Sequence, residues 1–349
     1  MKRLGMIIVI AFIMVGLSVV YEDLSMLPDL KEKRSASDEQ IEQAEDQSTN
    51  AEMKQPIKGV QRYFSMNQEE LISELGEPNQ IAPSPYGYDW WIYDLDSSQY
   101  VQFGMDKGKV VTTLVIGKSV DVSPLKLGQK RSDIPKDITF KKNVQLRVKG
   151  NDYQFQLTDE ELQIRPLVKI DGVWAQLYFD SFNDTLVGVR YMAEEVLAIQ
   201  RPYSLEYRGE LIEQPELNAK QQSRINEAEE KQIFTLTNVI RERYGLVPLK
   251  WHEETSIVAF GHSREMKKEN YFSHDSPMSG DLSDRLDKGN VKFIQAGENI
   301  AANYIDGIEA VIGWLNSEGH RKAMLNKEFT HLGVGVYDKY YTQNFIVPY

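Results

Sequence analysis

The chain contains no cysteine. That removes disulfides, cysteine nucleophiles and thiolate metal sites at once. Histidine is scarce: there are 5, at positions 252, 262, 274, 320 and 331, so imidazole chemistry is confined to the C-terminal end. Basic charge is not in excess either. Lys and Arg number 40 against 52 Asp and Glu, a net charge of −12. This excludes a nucleic-acid binder, which needs a basic face, and argues against holding anionic lipid by charge alone. No His-Glu-x-x-His string occurs, so the helical zinc-protease signal is absent. What remains, 349 residues that are 41% hydrophobic, suffices for two or three globular domains.

Long apolar runs are also missing, save one. Leu4 to Val20 is 17 residues long, at the short limit for a membrane span. Lys2 and Arg3 precede it and Glu22 and Asp23 follow it, which favours an N-in, C-out orientation. Residues 1–21 are expected to be a signal anchor, or a signal peptide cleaved near the small residues Gly16 and Ser18, although no Ala-x-Ala site is present. Both alternatives place the rest of the chain outside the cell, on the membrane surface or secreted. Residues 22–57 are expected to be a polar linker; the stretch 29–56 contains no aromatic residue and too little apolar surface to offset the entropy of ordering.

Residues 58–200 predict an α+β domain. Asn67 and Glu70 form a capping-box pattern for a short helix through Leu71, Ile72 and Leu75, stopped by Gly76 and Pro78. Trp90 to Tyr93, then alternation at Val101, Phe103 and Met105, a turn at Asp106-Lys107-Gly108 and a run from Val110 to Ile116 predict strands. A similar hairpin recurs at Trp174 to Phe179 and Leu186 to Tyr191 around Asn183-Asp184. Each hairpin follows a Leu-Gly pair, 75–76 and 127–128, which suggests an internal duplication. The domain has no histidine and no catalytic constellation. Residues 201–223 show no apolar period and are expected to be a connector.

Residues 224–349 predict helices before and after strands. Ile233, Leu236 and Ile240 share one helix face; Ala259, His262 and Met266 share another, which makes His262 a core histidine. Asp306 and Glu309 give a cap signal for a helix carrying Ile308, Val311, Ile312 and Leu315, with Trp314 on its flank. Ser317 to Gly319 is expected to end that helix, with His320 emerging beside the end. Alternation at Val334 and Val336, and at Tyr341, Gln343, Phe345 and Val347, predicts strands. His252 and His331 are expected at the surface or boundary.

Five strings occur in order here: Tyr271-Phe272-Ser273-His274, Gly297-Glu298-Asn299-Ile300, Trp314 to Arg321, Gly333-Val334-Gly335-Val336 and Tyr341 to Phe345. Together they resemble the CAP superfamily of cysteine-rich secretory, antigen-five and pathogenesis-related proteins. The missing cysteines point to its bacterial members. The resemblance implies a C-terminal α-β-α sandwich with a cleft, preceded by the CAP-associated N-terminal domain of some bacterial exported proteins.

The resemblance further implies that two histidines and two glutamates converge in the cleft. His274, Glu298 and His320 match three of them. Glu318 is the nearest match for the fourth, one residue further from Trp314 than the family pattern places it. Imidazole and carboxylate donors suit a metal, with zinc or calcium the expectation and His274 and His320 the ligands. No catalytic residue is assigned. The expected function is an exported binding module whose cleft holds a metal, small ligand, peptide or envelope component, with the membrane met through the N-terminal segment. An extracellular peptidase and a structural envelope protein are the alternatives, and a His-Glu network can be purely architectural.

Overall fold

The structure, a computed structural model, describes residues 59–64 and 66–349. The expected anchor at 1–21 and linker at 22–57 lie outside the described residues. Among the described residues no helix is long and apolar enough to cross a membrane.

In chain order the N-terminal half runs α1 (Gln68–Leu75), β1 (Gln80–Pro83), β2 (Asp89–Tyr93), β3 (Val101–Asp106), β4 (Lys109–Val115), β5 (Asn143–Val148), β6 (Asn151–Gln156), α2 (Asp159–Ile164), β7 (Leu167–Ile170), β8 (Val173–Asp180), β9 (Thr185–Met192), α3 (Glu194–Gln200) and β10 (Ser204–Arg208). The Asn67–Glu70 capping box closes as predicted, with both reciprocal bonds at 2.9 Å. Seven antiparallel strands form one sheet in the order β1-β2-β3-β4-β9-β8-β7. The meander β2-β3-β4 meets the meander β9-β8-β7 at its centre. The β3–β4 turn falls at Lys107 and Gly108, both with positive φ, the backbone a tight hairpin requires.

A smaller sheet, β10-β6-β5, was not anticipated. Its strand β10 lies inside the expected connector 201–223. It pairs only with β6, through the main chain, and buries little, so no apolar alternation marks it. The end of the same stretch opens the next helix, capped by Asn218 and Gln221.

The C-terminal half runs α4 (Ala219–Arg243), β11 (Lys250–Trp251), α5 (Glu253–Lys268), α6 (Leu282–Lys288), β12 (Phe293–Ala302), α7 (Gly307–Leu315), α8 (Glu318–Met324), β13 (His331–Tyr337) and β14 (Tyr340–Pro348). Its sheet has the order β11-β13-β14-β12, so β12 is an edge strand. Adjacent β14 residues reach opposite layers: Thr342 meets Ser263 of α5 at 2.8 Å, and Gln343 donates to Thr237 of α4 at 2.7 Å. The result is an α-β-α sandwich, with α5 and α6 on one face and α4, α7 and α8 on the other.

One expectation is corrected here. Helix α7 does end at Leu315, but Ser317 is the N-cap of α8, so Ser317 to Gly319 starts a helix and His320 sits in its first turn. Gly319 lies in a helical conformation with open space around it, which removes the stop signal its sequence position suggested.

The two halves share one apolar core, in which Trp90 and Tyr178 join Ile233, Val311 and Trp314. Charges cross the boundary as well. Arg190 of β9 meets Asp306 at 2.9 Å with both side chains buried. Arg165 pairs with Glu309, which also accepts from Gln176 at 2.8 Å. Asp180 takes both arms of Arg321 at 3.0 Å.

Candidate functional site

The loop carrying His274 joins α5 to α6 and is organised by one partly buried network. Glu265 of α5 accepts hydroxyls from Tyr271 and Ser279, each at 2.8 Å, and from Ser276. His262 is buried, as its helical face predicts, and its Nε2 lies 3.0 Å from the Ser273 carbonyl. A carbonyl only accepts, so Nε2 carries the proton there. His262 is therefore a strut that holds the segment leading into His274.

Strand β12 supplies the next string, and each residue of Gly297-Glu298-Asn299 has a separate task. A Cβ on Gly297 would sit 2.8 Å from the Phe329 ring. Glu298 points into the cleft, where its Oε1 meets His274 Nδ1 at 2.9 Å and its Oε2 accepts from Arg285 at 2.6 Å. The Asn344 amide also donates to Oε2 at 3.0 Å when its nitrogen faces the carboxylate. Asn299 points to the opposite face, where its amide holds the His320 carbonyl and Gln343, each at 3.1 Å.

The result is a polarised triad. The Glu298 side chain is only 3% exposed, Arg285 4% and His274 53%. Because Glu298 accepts at Nδ1, neutral His274 leaves its Nε2 lone pair free to face solvent. Arg285 also binds the main chain beneath His274, donating to the carbonyls of His274 and Gly280 at 2.8 Å each.

His320 approaches from α8, on the other face of the sheet. Its ring centroid lies 6.2 Å from that of His274. Its ring makes no hydrogen bond among the described residues. Burial, and next the neighbouring His274, hold its pKa below the ordinary value. Beside His274 runs an open groove of about 500 Å³, lined by Asp275, Leu282, Phe293 and Ala296 as well as by His274 and Glu298; His320 is not part of its lining.

The structure brings together His274, Glu298 and His320 but not Glu318. Glu318 is fully exposed on α8 and pairs with Lys322 at 2.7 Å. Sequence reasoning missed Arg285 and Asn344. Asn344 stood in a string already singled out, whereas nothing in the sequence marks Arg285.

The donor set does not fit a resident metal. It offers two imidazoles, and both oxygens of Glu298 are already bonded. Among the described residues no group of three or more His, Asp or Glu is arranged to hold an ion. A zinc ion would have two protein nitrogens and need its remaining ligands from water or a bound molecule; calcium, which needs six or more oxygens, is poorly served. Among the described residues neither Ser273 nor Ser317 hydrogen-bonds the ring of His274 or His320. Ser273 Oγ accepts from the Asp275 amide at 3.1 Å, and Ser317 lies at the start of α8 without a side-chain cap bond.

The buried His262 and the half-buried His320 set a pH response. His262 and His320 both have lowered pKa values, chiefly through burial. The unfolded chain takes up protons below about pH 6.5 before the folded one does. The stability they contribute is thus complete above that pH and is lost as pH falls through the folded-state values. Urea unfolding should show a falling midpoint on acidification from neutrality, with the His320 ring resonances titrating late. A His320 ring that titrates like free histidine would contradict this burial.

An α-β-α sandwich with its histidines astride one sheet edge is a family architecture, and the comparisons agree. The chain belongs to the cysteine-rich secretory protein (CAP) family, which matches residues 234–349, and it carries a CAP-associated N-terminal domain matched over 64–203. The uncharacterized membrane protein YlbC of Bacillus subtilis is 43% identical over 346 residues, 99% of either chain. The crystal structure of an extracellular protein containing a SCP domain from Bacillus anthracis superposes with a TM-score of 0.80 at 49% identity, covering 84% of this chain and 97% of that one. A cysteine-rich secretory protein from Staphylococcus aureus gives a TM-score of 0.74 at 26% identity, over 85% and 94% of the two chains.

Proposed function

We propose that this chain is an exported, envelope-associated binding module that takes its ligand in the cleft between His274 and His320. The observation that carries this is the asymmetry of the triad. Glu298 and Arg285 are buried and paired with each other, whereas His274 lines an open groove with its Nε2 unbonded, and the His320 ring, 6.2 Å from that of His274, makes no hydrogen bond among the described residues. A purely architectural network would consume those nitrogens too. Residence outside the cell is supported by the basic-then-apolar start of the sequence and by relatives named as membrane and extracellular proteins. The mirrored meanders of the seven-stranded sheet support a duplicated N-terminal domain.

The test uses the full chain in detergent, beside its His274→Ala, His320→Ala double variant. Zinc, a short-peptide pool and solubilised cell-envelope fragments are titrated into both. Saturable binding of any of them that disappears in the double variant supports the module. Equal binding by both proteins, or none, removes the cleft from the function. Cleavage of pooled peptides, lost in the double variant, would favour the peptidase alternative instead.

A further inference from the structure

The cleft lies on an open strand edge, and that edge defines what can dock there. In the C-terminal sheet the amide of His252 bonds the Leu332 carbonyl, so Leu332 faces away from β14 and Gly333 faces towards it. Following the register across, Gly297 and Asn299 bond β14, while Ala296, Glu298 and Ile300 turn their backbone N–H and C=O outward. The indole of Trp314 confirms this parity by donating to the Ile300 carbonyl at 3.0 Å. That carbonyl is covered; those of Ala296 and Glu298 meet no donor among the described residues, and neither does either amide meet an acceptor.

The groove runs along this uncovered stretch. Leu282 and Phe293 give it apolar walls, and Ile294 and Phe272 are exposed nearby in sequence. Its charge is one-sided. Glu298 is neutralised by Arg285, and Asp281 caps α6, accepting from the Asp284 amide. The Asp275 carboxylate has no partner among the described residues. The groove lining contains no lysine or arginine.

We infer that the ligand is an extended peptide segment of another protein. It adds as a strand to β12 at Ala296–Glu298 and sets a lysine or arginine against Asp275. Open ladder groups recognise main chain, whatever its sequence; the apolar walls and the carboxylate supply the side-chain preference. A small solute could use the histidines but would leave the ladder groups unpaired. This inference rests on the binding-module proposal and names the ligand class for it.

The test is selection of a displayed library of short random peptides on the full chain in detergent. Three variants follow: Asp275→Asn, Ala296→Pro and the His274→Ala, His320→Ala double variant. Proline at 296 removes only an outward N–H and no bond to β14; a thermal melt checks that the fold survives. The expected result is enrichment of peptides with alternating apolar residues and one basic residue. Their affinity should fall about tenfold or more in Asp275→Asn and in a folded Ala296→Pro. Methylating alternate peptide amides should abolish binding in one register and spare it in the other. Peptides that bind the wild type and Ala296→Pro equally, or that tolerate methylation in both registers, overturn strand addition. Loss in the histidine double variant would still leave the module intact. Failure to enrich any peptide overturns the inference, and zinc or envelope fragments then decide the module separately. Self-association through β12, seen as a dimer that Ala296→Pro dissolves, assigns the edge to a second copy and also overturns it.

Discussion

Replacing Arg285 by methionine is expected to lower the stability of the folded chain by about 3–5 kcal/mol, the usual consequence of removing one partner from a buried ion pair. Methionine fills much of the vacated volume, so the loss is electrostatic rather than a cavity effect. Among the described residues the guanidinium is the one Arg or Lys group paired with Glu298, and it also serves two main-chain carbonyls. Without it a carboxylate 3% exposed is left in the cleft wall. Urea unfolding of Arg285→Met measures the loss. The same change made with Glu298→Gln should recover most of it, because no unpaired charge then remains. A single variant that costs under about 1 kcal/mol would mean the pair behaves as an exposed one, worth little.

Replacing Gly335 by alanine should cost about 3 kcal/mol, the upper end for overpacking a core. A Cβ there would overlap the backbone nitrogen of Phe260, and one on Gly333 the backbone nitrogen of Ser256. The spacing explains why both must be glycine. Four residues of helix advance about 6 Å and two residues of strand about 6.6 Å. Alternate glycines of β13 therefore meet successive turns of α5. Ser256 and Ser263 add hydroxyl bonds to the Val334 and Gly335 carbonyls at 2.6 and 2.8 Å. Helix backbone cannot swing aside as a side chain can, so α5 must lift, and the loop carrying His274 follows it. Gly319→Ala is the control. Open space surrounds it within a helix, so alanine should be neutral or stabilising by up to about 1 kcal/mol. Equal effects at the two glycines would sink the packing argument.

Much of this was legible in the residues, for reasons that differ from place to place. Periodicity placed the core helices: Ile233, Leu236 and Ile240 are all buried on α4, and Ile308, Val311 and Leu315 on α7. Caps placed helix starts, because Asn67 and Asp306 bond the amides their spacing predicts. The strings near the C-terminus named His274, Glu298 and His320; His274 bonds Glu298 at 2.9 Å and its ring lies 6.2 Å from that of His320. Their logic was not legible. Glycine in Gly297-Glu298-Asn299 answers to Phe329, distant in sequence, and Arg285 reaches Glu298 from a helix that carries no recognisable motif. Glu318 shows the limit of counting along a chain. It follows Trp314 at nearly the family spacing, yet the restart of the helix at Ser317 turns it outward to Lys322. Strand β10 escaped notice because an edge strand held by main-chain bonds needs no apolar pattern.

Asp306 holds two posts at once. It caps α7 by accepting from the Glu309 amide at 3.0 Å, and it is the counter-ion of Arg190 in the other half of the chain. Cutting the protein at the residues between its halves would therefore not yield a smaller working copy. It would strand Asp306 and Glu309 without their arginines, loosen the first turn of the helix behind the cleft, and wet an apolar wall that now faces Tyr178 and Trp90. What is written as two segments must be inherited, expressed and melted as one.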